Sequence, residues 1–136
     1  MAAALGDLAN ALVFGGMAVF SFVVAPVAFR ALGRAEASGL MRALFPAYYR
    51  VMAIASAVAA VAFAVAGRRE EWALAGVALG FVGLLYLLLP ALEGARALRD
   101  AGKVAGETRF ARLHRLSVAI NLVQFIVVAA SMIGVL

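Results

Sequence analysis

Arg109-Phe-Ala-Arg-Leu-His-Arg-Leu-Ser-Val-Ala-Ile-Asn121 opens a run that stays apolar as far as Leu136. Basic residues crowd its start, and hydrophobic sequence of membrane length follows. The stretch holds His114, the single histidine of the chain. At about 100° per residue, His114, Ser117, Asn121 and Gln124 fall within an arc of about 80° on one helix. The opposite face carries Val118, Ile120, Leu122 and Val123. Polar groups in a bilayer are costly unless they face protein or water, so the polar stripe is expected to point inward. A helix of this kind belongs in a membrane bundle, and any site is to be sought first along its seam.

Composition agrees. The 136 residues are 67% hydrophobic and 14% charged. A soluble domain is about half apolar and about a quarter charged, so this is a membrane composition in a single domain, residues 1–136. The net charge of +5 comes from twelve Lys and Arg in three clusters that flank apolar runs. That is the level of lipid headgroups, so membrane lipids are the expected partners and nucleic acid is not. With no cysteine, disulfides, iron–sulfur clusters and thiolate zinc sites are excluded. No Lys or Arg precedes Arg30, and the first apolar run exceeds a signal-peptide core, so it reads as a retained helix.

Four spans are expected, at about residues 5–29, 47–66, 72–92 and 114–136. Asn10, Met17 and Ser21 share a face of the first, and Ala11, Gly15 and Ala18 offer a small-residue surface to a neighbour. Between spans one and two, Gly33 to Phe45 reads as a short amphipathic helix in the interface, ended by Pro46. Ala and Val dominate the second span, which is thin and suited to the bundle interior. Tyr48, Tyr49 and Arg50 form an interfacial belt at its start. Gly76, Gly80 and Gly83 mark a close-packing face on the third, where Tyr86 and Glu93 are seven apart. Glu93 to Arg112 reads as a second charged loop, or as an extension of the third helix by a few turns, hinged at Gly102 and Gly106. The fold class expected is an all-α integral membrane four-helix bundle with an interfacial helix. Ten basic residues lie in the two long loops and two, Arg68 and Arg69, in the turn between spans two and three. The positive-inside rule then sets both termini outside the cytoplasm, in the cell (inner) membrane.

Each candidate group has a plain reading beside the chemical one. His114 reads as a metal or haem ligand, a proton carrier, or a structural hydrogen-bonding group, and the last is favoured because one ligand does not make a site. Ser117 and Asn121, with Gln124, line a cavity or bond between helices. Tyr49, Tyr86, Ser21 and Asn10 are expected to converge with them as ligand-binding groups. Arg109, Arg112 and Arg115 precede the fourth span, where basic side chains and free backbone N–H groups suit an anion or lipid headgroup. The plain reading is that they set topology. Glu93 is the acid nearest a span and a partner for one of these arginines. There is no second histidine, no thiol, no phosphate-cradling glycine loop and no carboxylate pair inside a span. An enzymatic role is therefore disfavoured.

Two stretches carry a resemblance. One is Gly16-Met-Ala-Val-Phe-Ser-Phe-Val-Val-Ala-Pro26 with Leu44-Phe-Pro-Ala-Tyr-Tyr49. The other is Leu113-His-Arg-Leu-Ser-Val-Ala-Ile-Asn121. Through Phe45, Pro46, Tyr48, Tyr49, Leu113, His114, Ser117 and Asn121, the chain resembles bacterial membrane proteins of unknown function related to eukaryotic transmembrane protein 205 (DUF4149-like). The resemblance implies four transmembrane helices. The eukaryotic relative's association with resistance to platinum drugs points to export or metal handling. A looser similarity in size is to CopD-like and HemJ-like proteins, which use several histidines where this chain has one. Three functions are carried forward. The first is binding or translocation of a small solute, metal species or lipid-like molecule along the fourth helix, with no cofactor and a homo-oligomeric assembly. The second is a redox protein with haem or a transition metal at His114. The third is a structural subunit of a membrane complex.

Overall fold

A computed structural model describes residues 1–135. Leu136, where the fourth expected span ends, lies outside them. Four helices, each long and apolar enough to cross a membrane, make up the fold: α1 Ala2–Ala31, α2 Arg34–Val65, α3 Glu71–Asp100 and α4 Val104–Met132. No strand occurs among the described residues. Each helix packs on its sequence neighbours, and α4 closes the ring against α1. The expected four-helix bundle is thus observed, and α2 is its most enclosed member, with half of its apolar window buried against 17–33% for the other three.

Short, well-terminated turns hold the helices antiparallel. After α2, Gly67 takes a left-handed φ of +68°. Its N–H donates to the Ala64 carbonyl at 3.0 Å and that of Arg68 to the Phe63 carbonyl at 2.9 Å. After α3, Gly102 does the same at φ +75°, with the Gly102 and Lys103 N–H groups donating to Arg99 and Leu98. Both are Schellman closures, which need a residue free of a Cβ at the left-handed position. Beyond Gly67, Arg68 bonds Asp7 of α1 and Glu70, each at 2.6 Å, and its guanidinium covers the Phe63 ring at 4.2 Å. Burial is near-complete at Val13, Met17, Phe63, Leu74, Phe81, Leu84 and Val128, a core that runs the length of the bundle.

Several expectations need correction. The interfacial helix is not separate: α2 runs unbroken from Arg34 through Pro46 to Val65. Proline removes one backbone donor, but an isolated loss is tolerated in membrane helices when neighbours compensate. Of the two readings of the second charged segment, the helical extension is the one observed: α3 persists to Asp100, and α4 begins already at Val104. Gly102 is a turn as expected, but Gly106 is no hinge: it is buried in α4, and a Cβ there would strike the backbone of Leu98 and Arg99. Gly80 is a true close approach, facing Gln124, whereas Gly15, Gly76 and Gly83 meet nothing. On α1 the close approaches are Gly6 against Phe63 and Gly16 against Met52. Tyr48 and Tyr49 face inward rather than forming a belt. Tyr48 stacks on Phe20 at 4.3 Å between centroids, and Tyr49 is 3% exposed beside Phe45.

Both α1 and α3 contain one π turn, Phe20–Val24 and Leu84–Leu88. Each lies just before a proline, Pro26 or Pro90. The N–H of Ala25 reaches back five residues to Phe20, and that of Leu89 to Leu84. Proline disturbs the regular ladder just behind it, and a wider turn re-pairs the backbone there. The consequence for side chains is direct, because a wide turn rotates every position relative to a constant helical projection.

A charged chamber at the basic end of the bundle

Thirty residues of helix measure about 45 Å against a hydrocarbon core of about 30 Å. The helices therefore overshoot the apolar layer. Counting about 1.5 Å per residue from Trp72, an exposed aromatic near the start of α3, Glu93 lies about 31 Å further on. That depth is the headgroup level at the end of the bundle opposite Trp72. There α2, α3 and α4 leave a cavity of about 40 Å³. Arg42, Phe45 and Tyr49 come from α2, Leu89, Leu92, Glu93 and Arg96 from α3, and Phe110, His114 and Ser117 from α4.

Glu93 is the single acid of the lining. Arg42 forms an ion pair with its Oε2, and Arg96, one helical turn on, approaches Oε1 at 3.4 Å. Arg42 thus covers Oε2, while Arg96 stands further from Oε1. Arg96 and Arg99 lie over the Phe110 ring, at 5.4 and 4.7 Å from its centroid. His114 stacks parallel to the same ring at 6.1 Å. Phe110 thus aligns the cationic side chains of α3 with the imidazole of α4, through the attraction of cations to a ring face. The space is bounded by two arginines and one imidazole against one carboxylate, with apolar walls behind them.

The expected site residues divide. His114, Ser117 and Tyr49 line the chamber. Asn121 stands one turn deeper on α4 and is half-buried. Local bonds occupy two of them: Ser117 Oγ donates to the His114 carbonyl at 2.8 Å, and Asn121 Nδ2 to the Ser117 carbonyl at 2.9 Å. Asn10 is elsewhere. Its Nδ2 donates to Ser131 Oγ at 2.7 Å, and Ser131 lies 17 residues past His114, about 26 Å along α4. Gln124 bonds the Val77 carbonyl across the gap that Gly80 leaves, so the plain interhelical reading holds for it. Ser21 and Tyr86 are exposed, Tyr86 at 66%, and take no part. Each sits inside one of the two π turns. Arg109, Arg112 and Arg115 are exposed on the interior turns of α4 rather than before its start. Their backbone N–H groups are therefore used within the helix, leaving only side chains for an anion.

Sequence reasoning missed Arg42, Arg96 and Phe110. The i,i+3 spacing of Glu93 and Arg96 was a readable signal. The pairing of Glu93 with Arg42, rather than with an α4 arginine, was not. Among the described residues no three His, Cys, Asp or Glu side chains are grouped to hold a metal ion.

Four spanning helices of this length and composition define a multi-pass helical membrane protein. The family described as Domain of unknown function (DUF4149) matches residues 8–101, more than half of the chain, and the protein belongs to that family. The match takes in the α2 and α3 walls of the chamber and stops short of α4. No curated protein and no solved structure matches the chain.

Proposed function

We propose that this protein is a non-enzymatic membrane protein that binds a small solute carrying an anionic group in the chamber at its basic end. One observation carries the reading: Arg42, Arg96 and His114, from three different helices, border one small space that contains a single carboxylate. Arginine forks match the planar or tetrahedral oxygens of carboxylates and phosphates, and a partly water-excluded site strengthens such pairs. The distribution of basic residues favours the cytoplasmic side of the cell membrane for this end, with both termini on the other side. The motif resemblance to relatives of transmembrane protein 205 fits a solute-handling role. A haem or metal role at His114 would draw its remaining ligands from outside this chain.

Thermal unfolding in detergent with a panel of small anions (phosphate, sulfate, acetate, citrate) tests the reading. Wild-type protein gains melting temperature with at least one anion in a saturable manner. Arg96→Gln and His114→Ala keep the fold by circular dichroism and lose most of that gain. Equal gains in all three proteins would remove the chamber as the site.

A further inference from the structure

We propose that Glu93 is the chamber's built-in occupant, and that the ligand which replaces it is a phosphate group. This rests on the anion-binding reading above. A carboxylate held between two guanidinium groups from neighbouring helices is what a ligand-filled anion site looks like, and here the chain supplies the anion itself. Arg42 and Arg96 both address Glu93, one at each oxygen. Arg42 closes on Oε2, whereas Arg96 stands 3.4 Å from Oε1, beyond the usual N–H···O length. Glu93 therefore fills the seat while engaging Arg96 only loosely.

A phosphate fits the three cationic or donor groups better than a carboxylate does. It offers oxygens in three or four directions, which Arg42 on α2, Arg96 on α3 and His114 on α4 meet from three sides. A carboxylate has two oxygens in one plane and leaves one helix unengaged. Glu93 is 29% exposed at its side chain and Arg42 60%, so the carboxylate has a path out towards water. Phe45, Leu89 and Leu92 supply apolar walls to the space. The chamber's depth at the headgroup level makes two sources of phosphate chemically equivalent there: the headgroup of a membrane phospholipid and a free phosphate in solution.

Titration calorimetry of the full chain in detergent with inorganic phosphate tests this, with wild type, Glu93→Gln and Arg96→Gln side by side. Glu93→Gln removes the competing charge and keeps the shape, so phosphate affinity rises by about tenfold or more, the scale of one displaced ion pair. Arg96→Gln lowers it by a similar factor. Glu93→Ala, which also removes the side chain, guards against a folding effect of the amide and gains affinity in the same direction. Weaker phosphate binding in both folded Glu93 variants overturns the occupant role while leaving anion binding in place. Absence of phosphate, sulfate and carboxylate binding in every protein overturns both. Acetate binding as tightly as phosphate overturns the choice of phosphate. The source is read by repeating the titration in a phosphate-free maltoside detergent with or without added phosphatidylglycerol. Competition by phosphatidylglycerol assigns a headgroup, and undiminished phosphate binding assigns a free solute, both within the proposal.

Discussion

Arg68 shows at the scale of one residue how this protein holds a charge at a water boundary. Its guanidinium spans Asp7, Glu70 and the Phe63 face, tying the α2–α3 turn to α1. The hydrogen bond from Arg68 holds the Glu70 carboxyl below the ordinary glutamate value of 4.5. A carboxyl depressed in the folded state contributes stability above its unfolded pKa, and that contribution is lost as pH falls through the folded one. The difference in melting temperature between wild type and Arg68→Gln is therefore present at neutral pH and shrinks on acidification below about pH 4.5. A difference that stays constant or grows with acid contradicts the pairing. The same scale shows what the sequence leaves illegible. Gln124 bonds a carbonyl 47 residues away and Asn10 a hydroxyl 121 residues away. Helical spacing puts such side chains on an inward face but names no partner. Which polar residue is a hydrogen-bonded rivet and which borders open space is decided by the neighbouring helix.

At the scale of the element, periodicity is a good guide wherever the helix is regular. His114, Ser117, Asn121 and Gln124 do share a stripe of α4, but it turns fully inward only at Ser117 and Gln124: Asn121 is half-buried, and His114, near the end of the bundle, is exposed. Periodicity fails at Ser21 and Tyr86, where a constant angle per residue passes through a π turn. Both turns precede a proline, so the failure has a sequence signature: a proline inside a span flags the residues just before it. Pro46 shows the limit of that rule, since α2 runs through it without a π turn. Glycine spacing likewise marks possible close approaches without saying which are used. Two glycines make opposite predictions. At Gly106 a Cβ meets fixed backbone of α3, so Gly106→Ala destabilises by about 1–3 kcal/mol through overpacking. At Gly94, exposed on α3 with nothing within 4 Å, Gly94→Ala is neutral or stabilises by up to about 1 kcal/mol through helix propensity. Denaturation of both variants in the same detergent checks the pair. Equal effects would mean that the α3–α4 crossing is not as close as described.

For the whole molecule, composition and four apolar runs are enough to make the membrane bundle legible, because hydrocarbon permits few alternatives to packed helices. The chamber is only half legible in the same way. Its α4 wall follows from the polar stripe, and Glu93 stands out as an acid near a span. Its α2 wall is hidden when Gly33 to Phe45 is read as a helix lying flat in the interface. As the upright start of α2, that segment brings Arg42 to Glu93. The extension of three helices beyond the apolar layer is therefore what creates the chamber, and its charge follows from the basic flanks that topology already requires. Arg42 and Arg96 line the chamber, whereas Arg109, Arg112 and Arg115 lie outside it on the exposed side of α4. Arginine side-chain NMR, following the assigned guanidinium signals during an anion titration, reads that separation directly. Saturable shifts at Arg42 and Arg96 are predicted, with the signals of Arg109, Arg112 and Arg115 nearly still. Shifts confined to the three exposed arginines, or spread evenly over all five, would contradict anion binding in the chamber.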